Sequence, residues 1–301
     1  MEMTRLILFR PFDLKKWFVI GFCAWLAYLG HSGFNYNYRY GGGRDFIRTP
    51  AFQNFVDTVH HTPVWLIVLV ITFLALVCIA VAVLFAWLRG RGLFMFTDCV
   101  VRNRPAVTEP WNEFRRLGNS YFLFSLLVTV VALVLGALLI APLAVVAIRN
   151  GIHSRHLTDL GAASVLGLIG SACVIFVLAI GWALISHLMI PIMYRHRVLA
   201  REGFRGSVDL ISRYPGEITI YCLFWVVLGL GIVVVTCVAV CVTCCIAALP
   251  YIGTVILLPI YVFQRSFSLL YLRQFGSEYD AWAAVTETAA LSPEPPPLPT
   301  G

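Results

Sequence analysis

The chain has 301 residues, 60% of them hydrophobic and only 12% charged, with a mean hydropathy of +0.85. Soluble domains average about 45–50% apolar and about 25% charged, so a soluble enzyme with a small anchor is excluded: too few polar residues remain to coat it. The net charge of +7 comes without a dense basic cluster, which sets nucleic acid aside as a partner and assigns the basic residues to membrane topology.

In chain order, the first apolar run is 17–30. It is short for a hydrocarbon core of about 30 Å, but Lys15 and Lys16 before it can snorkel and the bilayer can thin. No small-x-small cleavage site surrounds Gly30-His31-Ser32, so a retained span is expected rather than a signal peptide. Residues 31–63 form the longest segment on the far side, with Tyr36, Tyr38, Arg39 and Tyr40 leading into Gly41-Gly42-Gly43. This is either a flexible linker with interfacial aromatics or a recognition loop that uses those four residues. His60-His61 points its rings apart on any regular element and makes poor metal geometry.

Residues 64–88 form the second run, free of charge. Segment 89–120 then reads as a loop. It holds a short interfacial helix over 93–101 between Arg89, Arg91, Arg102 and Arg104. A second short helix is capped by Thr108, carries Pro110 in its first turn and is closed by Gly118, and Ser120 caps the next span. The third and fourth runs are 121–148 and 162–194. Loop 195–217 repeats the plan of 89–120, with a short helix around Ser207 to Leu210 and a Pro215-Gly216 turn, a pattern that fits internal duplication or simply two helix exits on one side. Runs 218–249 and 255–272 follow, separated by a tight break at Pro250 to Gly253. Residues 283–301 are proline-rich and read as a disordered tail.

Six runs therefore predict an all-α, polytopic transmembrane bundle over 1–282. Segments 1–16, 89–120, 195–217 and the C-terminal end carry 17 Arg and Lys when Arg265, just within the last span, is counted with them; the opposite side carries 5. The excess places both termini in the cytoplasm. Nine cysteines, none on a predicted outside loop and Cys99 in a cytoplasmic one, do not form a disulfide framework.

The spans hold no Asp, Glu or Lys at mid-depth, which weighs against ion-coupled transport. His187 and Arg265 are the ionisable residues at depth. Each lies eight residues before a cytoplasmic-side arginine, so they share a depth of about 12 Å from it. With Ser186 and Gln264 they define a candidate polar pocket that binds an anionic headgroup through Arg265. The plainer alternative is that Arg265 snorkels and His187 bonds a neighbouring helix. Cys237, Cys241 and Cys244 share a helix face beside Cys245, but apolar surroundings keep thiols protonated and inert, so no metal is expected. Ala163, Gly167 and Ser171 suit close helix packing. Hydrolase and phosphate-loop motifs are missing. No cofactor or catalytic residue is expected.

Several stretches carry a resemblance: Trp87-Leu88-Arg89-Gly90-Arg91-Gly92-Leu93-Phe94-Met95-Phe96-Thr97-Asp98, Pro110-Trp111, Gly118-Asn119-Ser120-Tyr121-Phe122, Leu249-Pro250-Tyr251-Ile252-Gly253-Thr254-Val255 and Gln274-Phe275-Gly276-Ser277-Glu278-Tyr279-Asp280. Over residues 5–282 the chain resembles a group of uncharacterised bacterial membrane proteins. More distantly it is similar to the membrane domain attached to some glycerophosphodiester phosphodiesterases. The resemblance implies a six-helix bundle in a bacterial inner membrane. The acidic and histidine metal motifs of the phosphodiesterase domain are missing, so it does not imply hydrolysis. The expectation is a non-enzymatic scaffold, accessory or lipid-binding protein whose partners are membrane lipids and other proteins. A small-molecule facilitator is the alternative.

Overall fold

The computed structural model of the chain describes residues 13–29, 63–153, 162–243 and 250–283, and its regular elements among these residues are all helical. Helix α1 runs Leu14–Ala27. Asp13 caps it by accepting from the Lys15 backbone N–H at 2.9 Å, which satisfies one of the orphan donors of the first turn. Lys16 does not snorkel: it is buried and donates to Asn103 Oδ1 at 2.8 Å. Asn103 itself has φ of 52°, a left-handed conformation that asparagine tolerates better than most residues.

Helix α2 runs Val64–Val101 without interruption. The second span and the expected interfacial helix at 93–101 are therefore one element of 38 residues, about 57 Å long. Gly90 and Gly92 do not end it. Both are helical points of close approach: a Cβ on Gly90 would meet the Gly118 carbonyl oxygen at 3.0 Å, and one on Gly92 would meet backbone of Leu26 and Ala27 at 2.6 Å. Cys99, expected in a loop, is fully buried on this helix.

Helix α3, Thr108–Glu113, carries Pro110 early, as the sequence predicts, though Thr108 is its first residue and makes no cap. Helix α4 runs Arg115–His153. It begins before Gly118 and Ser120, so neither closes nor caps a helix here. Instead, Ser120 Oγ accepts from the Ala200 N–H at 3.0 Å, at the start of another helix. Helix α5 is Ala162–His196, α6 is Ala200–Arg213 and contains the short helix expected around Ser207 to Leu210, and α7 is Pro215–Val242. The proline at its first position lacks only an N–H that would have been orphaned anyway. Helices α8, Pro250–Ile256, and α9, Leu258–Arg273, close the order, followed by a 3-10 turn at Ser277–Tyr279.

Four helices are long and apolar enough to cross a membrane, through Val64–Val101, Arg115–Pro142, Ile169–His196 and Pro215–Val242. The other two expected spans differ. Run 17–30 becomes the 14-residue α1, and run 255–272 is divided at Leu257 between α8 and α9. These short helices pack into a hub. Every residue of α2 from Gly90 to Val101 is buried. Ile20, Cys23 and Ala24 of α1, Phe114 and Tyr121, Met189 and Met193, and Leu258, Val262 and Leu269 pack on it. A smaller aromatic cluster joins Leu188, Leu210, Ile218, Tyr221 and Leu272.

Beyond the hub the four long helices continue as arms. Their most apolar windows are 0% buried in three cases and 17% in the fourth. At Gly170, beside the small residues Gly167 and Ser171, an added Cβ would meet nothing within 4 Å.

Candidate functional site

Five positions on α9 face inward: Leu258, Val262, Arg265, Leu269 and Leu272 are all buried. Their 4-3-4-3 spacing is the core stripe of an amphipathic helix, and its central place is filled by arginine. Arg265 is 4% exposed. Its Nε donates to Thr97 Oγ1 at 2.8 Å. Its Nη2 donates to the same oxygen and, at 3.5 Å, to the Leu93 carbonyl. Thr97 Oγ1 in turn donates to the Leu93 carbonyl at 2.7 Å. One edge of the guanidinium is thus held by neutral acceptors one turn apart on α2.

The other edge is different. Nη1 makes no hydrogen bond among the described residues. Tyr28, Tyr121 and Tyr221 lie within electrostatic reach, and no described carboxylate does. Arg89 acts on Tyr28 and Tyr121 as well. The Tyr28 ring packs on Tyr261 with centroids 4.6 Å apart, and Tyr121 is buried. A buried cation without a counter-ion carries a desolvation penalty of several kcal/mol, which makes this the electrostatically incomplete part of the hub.

The acids of the hub are engaged elsewhere. Asp98 is fully buried; it accepts from Tyr194 Oη at 2.9 Å and lies 3.1 Å from Arg102 Nε and 3.4 Å from Arg104 Nη2. Glu113 takes Arg102 at 3.1 Å and Arg197 at 2.6 Å. Burial pushes the Glu113 carboxyl up, but Arg197 and Arg102 outweigh it and hold the group below the ordinary glutamate range. Arg197 also sits over the Phe114 ring at 4.4 Å. Nearby, Arg91 lies between Trp87 and Trp111, 4.4 and 4.7 Å from their centroids, and both its Nε and Nη2 donate to Asn119 Oδ1 at 3.1 Å.

The four pocket residues expected from the sequence are only partly brought together. Ser186 donates to the Ala183 carbonyl at 2.8 Å and lies near the Tyr121 hydroxyl. The His187 ring packs against Trp225, with centroids 4.4 Å apart and the planes tilted by 54°. Trp225 Nε1 donates to Tyr221 Oη at 2.7 Å, so two aromatic residues link His187 to the surroundings of Arg265. Gln264 is half-buried, one position off the inward stripe. Arg265 does not snorkel. Tyr36, Tyr38, Arg39, Tyr40 and His60-His61 lie outside the described residues. So do Cys244 and Cys245, while Cys237 and Cys241 are exposed free thiols. No group of described residues could hold a metal ion.

Sequence reasoning missed Thr97, Tyr28 and Tyr121 as groups around Arg265. The available signals were the arginine in a leucine stripe and the i, i+4, i+8 spacing of Arg89, Leu93 and Thr97. It also missed Cys23 and Cys99, whose Sγ atoms lie 3.7 Å apart.

A family model described as a family of unknown function (DUF7544) matches residues 1–270. No curated protein and no solved structure matches the chain.

Proposed function

The chain belongs to this family of unknown function, and we propose that it is a non-enzymatic, lipid-binding accessory or scaffold protein that holds a rigid hub at the cytoplasmic face of a bacterial inner membrane. The observation that carries the proposal is the convergence of four bare apolar helices on one packed hub. Lipid solvates such arms from every side, whereas a hub rich in arginine, tryptophan and tyrosine suits headgroup depth. The basic segments 89–120 and 195–217 both contribute to it, which supports both termini lying in the cytoplasm. In this topology α1 and α8–α9 are the fifth and sixth membrane-embedded segments, entering the cytoplasmic leaflet with the hub. Distant kinship with the membrane domain of glycerophosphodiester phosphodiesterases belongs to the same proposal, and fits a lipid-facing role without hydrolysis.

A facilitator needs spans that enclose a wetted path, and the arms of the described chain are bare to their surroundings instead. The test is native mass spectrometry of protein extracted with its own lipids, together with reporter fusions at both ends. Bound phospholipid and two cytoplasmic termini are expected. A bare protein, or termini on opposite sides, would overturn the reading.

A further inference from the structure

The hub contains a pair of nucleophilic side chains that the proposed function does not use. Cys23 of α1 and Cys99 of α2 are both fully buried and both free thiols. Their sulfurs lie 3.7 Å apart. Both thiols also donate toward one acceptor: the Ala106 carbonyl oxygen is 3.5 Å from Cys99 Sγ and 4.0 Å from Cys23 Sγ. Ala106 belongs to the irregular strap 102–107 between α2 and α3, in which Asn103 and Pro105 are exposed. The sulfurs are thus one layer of chain below the surface. Side chains pin that layer down: Lys16 of α1 donates to Asn103 Oδ1 at 2.8 Å, and Arg104 lies 2.9 Å from Glu109.

We propose that Cys23 and Cys99 form a redox modification site, a dithiol that hydrogen peroxide closes to a reversible disulfide locking α1 onto α2. The bond is about 2.0 Å long, so each sulfur moves by less than about 1 Å to make it. One sulfur, as thiolate, attacks the peroxide O–O bond and becomes a sulfenic acid, and the other oxygen leaves as water. The second sulfur then attacks the first, the S–O bond breaks, and its oxygen leaves as a second water. Two thiols thereby give two hydrogens and two electrons to one peroxide. The second sulfur already touches the first, so bridging outruns further oxidation of the sulfenic acid. Such a bridge is a switch rather than a structural framework. It closes the chain from 23 to 99 into a loop and restricts the unfolded state, so the oxidised hub is the more stable form. The strap sets the rate, because peroxide reaches the sulfurs only when 102–107 lifts.

The test treats full-length protein in detergent with hydrogen peroxide, blocks remaining thiols with N-ethylmaleimide and maps the cross-linked peptides by mass spectrometry. A Cys23–Cys99 bridge is expected, lighter by two hydrogens, about tenfold or more above any other cysteine pair. Dithiothreitol should reverse it, and the oxidised form should melt at a higher temperature than the reduced one. Asn103→Gly keeps the left-handed backbone of that residue and removes the Lys16 anchor, so it should speed bridging severalfold. Cys23→Ser and Cys99→Ser should each abolish it. The bridge itself is read in the unaltered chain, so no variant has to fold for the outcome to count. Cys23 and Cys99 that stay free thiols while the exposed Cys78 and Cys173 are oxidised overturn the proposal. So does sulfinic acid at Cys99 without a bridge, and a bridging rate unchanged by Asn103→Gly overturns control by the strap.

Discussion

Gly92 and Gly231 both lie in long apolar helices, yet their surroundings have little in common. A Cβ on Gly92 would strike the backbone of α1 at 2.6 Å; one on Gly231 would meet nothing within 4 Å. The same contrast divides α2 against itself. Val68, Leu69, Ile71 and Leu74 stand more than half exposed, while Phe94, Met95, Phe96 and Cys99 are sealed. Hydrophobicity alone does not separate the halves. In lipid, apolar side chains gain nothing by leaving one surrounding for another, so close packing there depends on small residues and polar contacts. The hub has both: glycines at its crossings, and buried polar pairs such as Arg265 with Thr97 and Asp98 with Tyr194. The arms have neither among the described residues.

The contrast can be broken hardest at Asp98. Asp98→Ala leaves Tyr194, Arg102 and Arg104 around an empty place, and a cost of about 3–5 kcal/mol is expected from breaking a buried ionic network, read as a lower midpoint in thermal unfolding in detergent. Gly92→Ala comes next. Neither helix backbone can yield cheaply at 2.6 Å, so overpacking should cost about 1–3 kcal/mol. Arg91→Ala removes a guanidinium held by two indoles and Asn119, worth about 1–2 kcal/mol, and Trp87 and Trp111 fluorescence should report the change.

Two smaller effects sharpen the boundary. Glu113 has a folded-state pKa below its unfolded one. Its contribution is therefore complete above the unfolded value and disappears as pH falls through the folded value. Wild-type hub stability should lose up to about 1 kcal/mol more than Glu113→Gln between about pH 5 and pH 3, measured by unfolding at each pH. Gly231→Ala on an arm should leave stability unchanged or raise it by about 0.5–1 kcal/mol through helix propensity. A drop of the size seen at Gly92 would show a hidden packing partner on that arm.

Much of the layout was legible in the sequence. Charge-free runs of 25 residues or more mark the long helices, because hydropathy and length are local properties. Pro110 near the start of α3 and the helix around Ser207 were also visible from local rules. The continuity of α2 was not. Arg89 and Arg91 beside an apolar stretch look like a span ending at an interface, and only the third dimension shows Arg91 caged by Trp87 and Trp111 and Gly92 pressed against α1. The shortness of run 17–30 was a sign that it packs into the hub, but its neighbours were invisible. For the site, an arginine at depth was conspicuous in the sequence, whereas its partner Thr97 lies 168 residues away, a distance that no spacing rule spans. His187 was grouped with Arg265 by equal depth alone. Depth says nothing of azimuth, and the structure turns His187 onto Trp225.

Bare apolar arms on a closely packed hub are the central feature of this fold. Oxygen accessibility by electron paramagnetic resonance, with a nitroxide placed in turn at each of residues 68–81 of the full-length protein in bilayers, reads this directly. The account predicts uniformly high accessibility along the whole stretch, matching its exposure in the structure. Accessibility that rises and falls with a 3.6-residue period would mean that one face of the arm packs against other helices, and would contradict the separation of hub and arms.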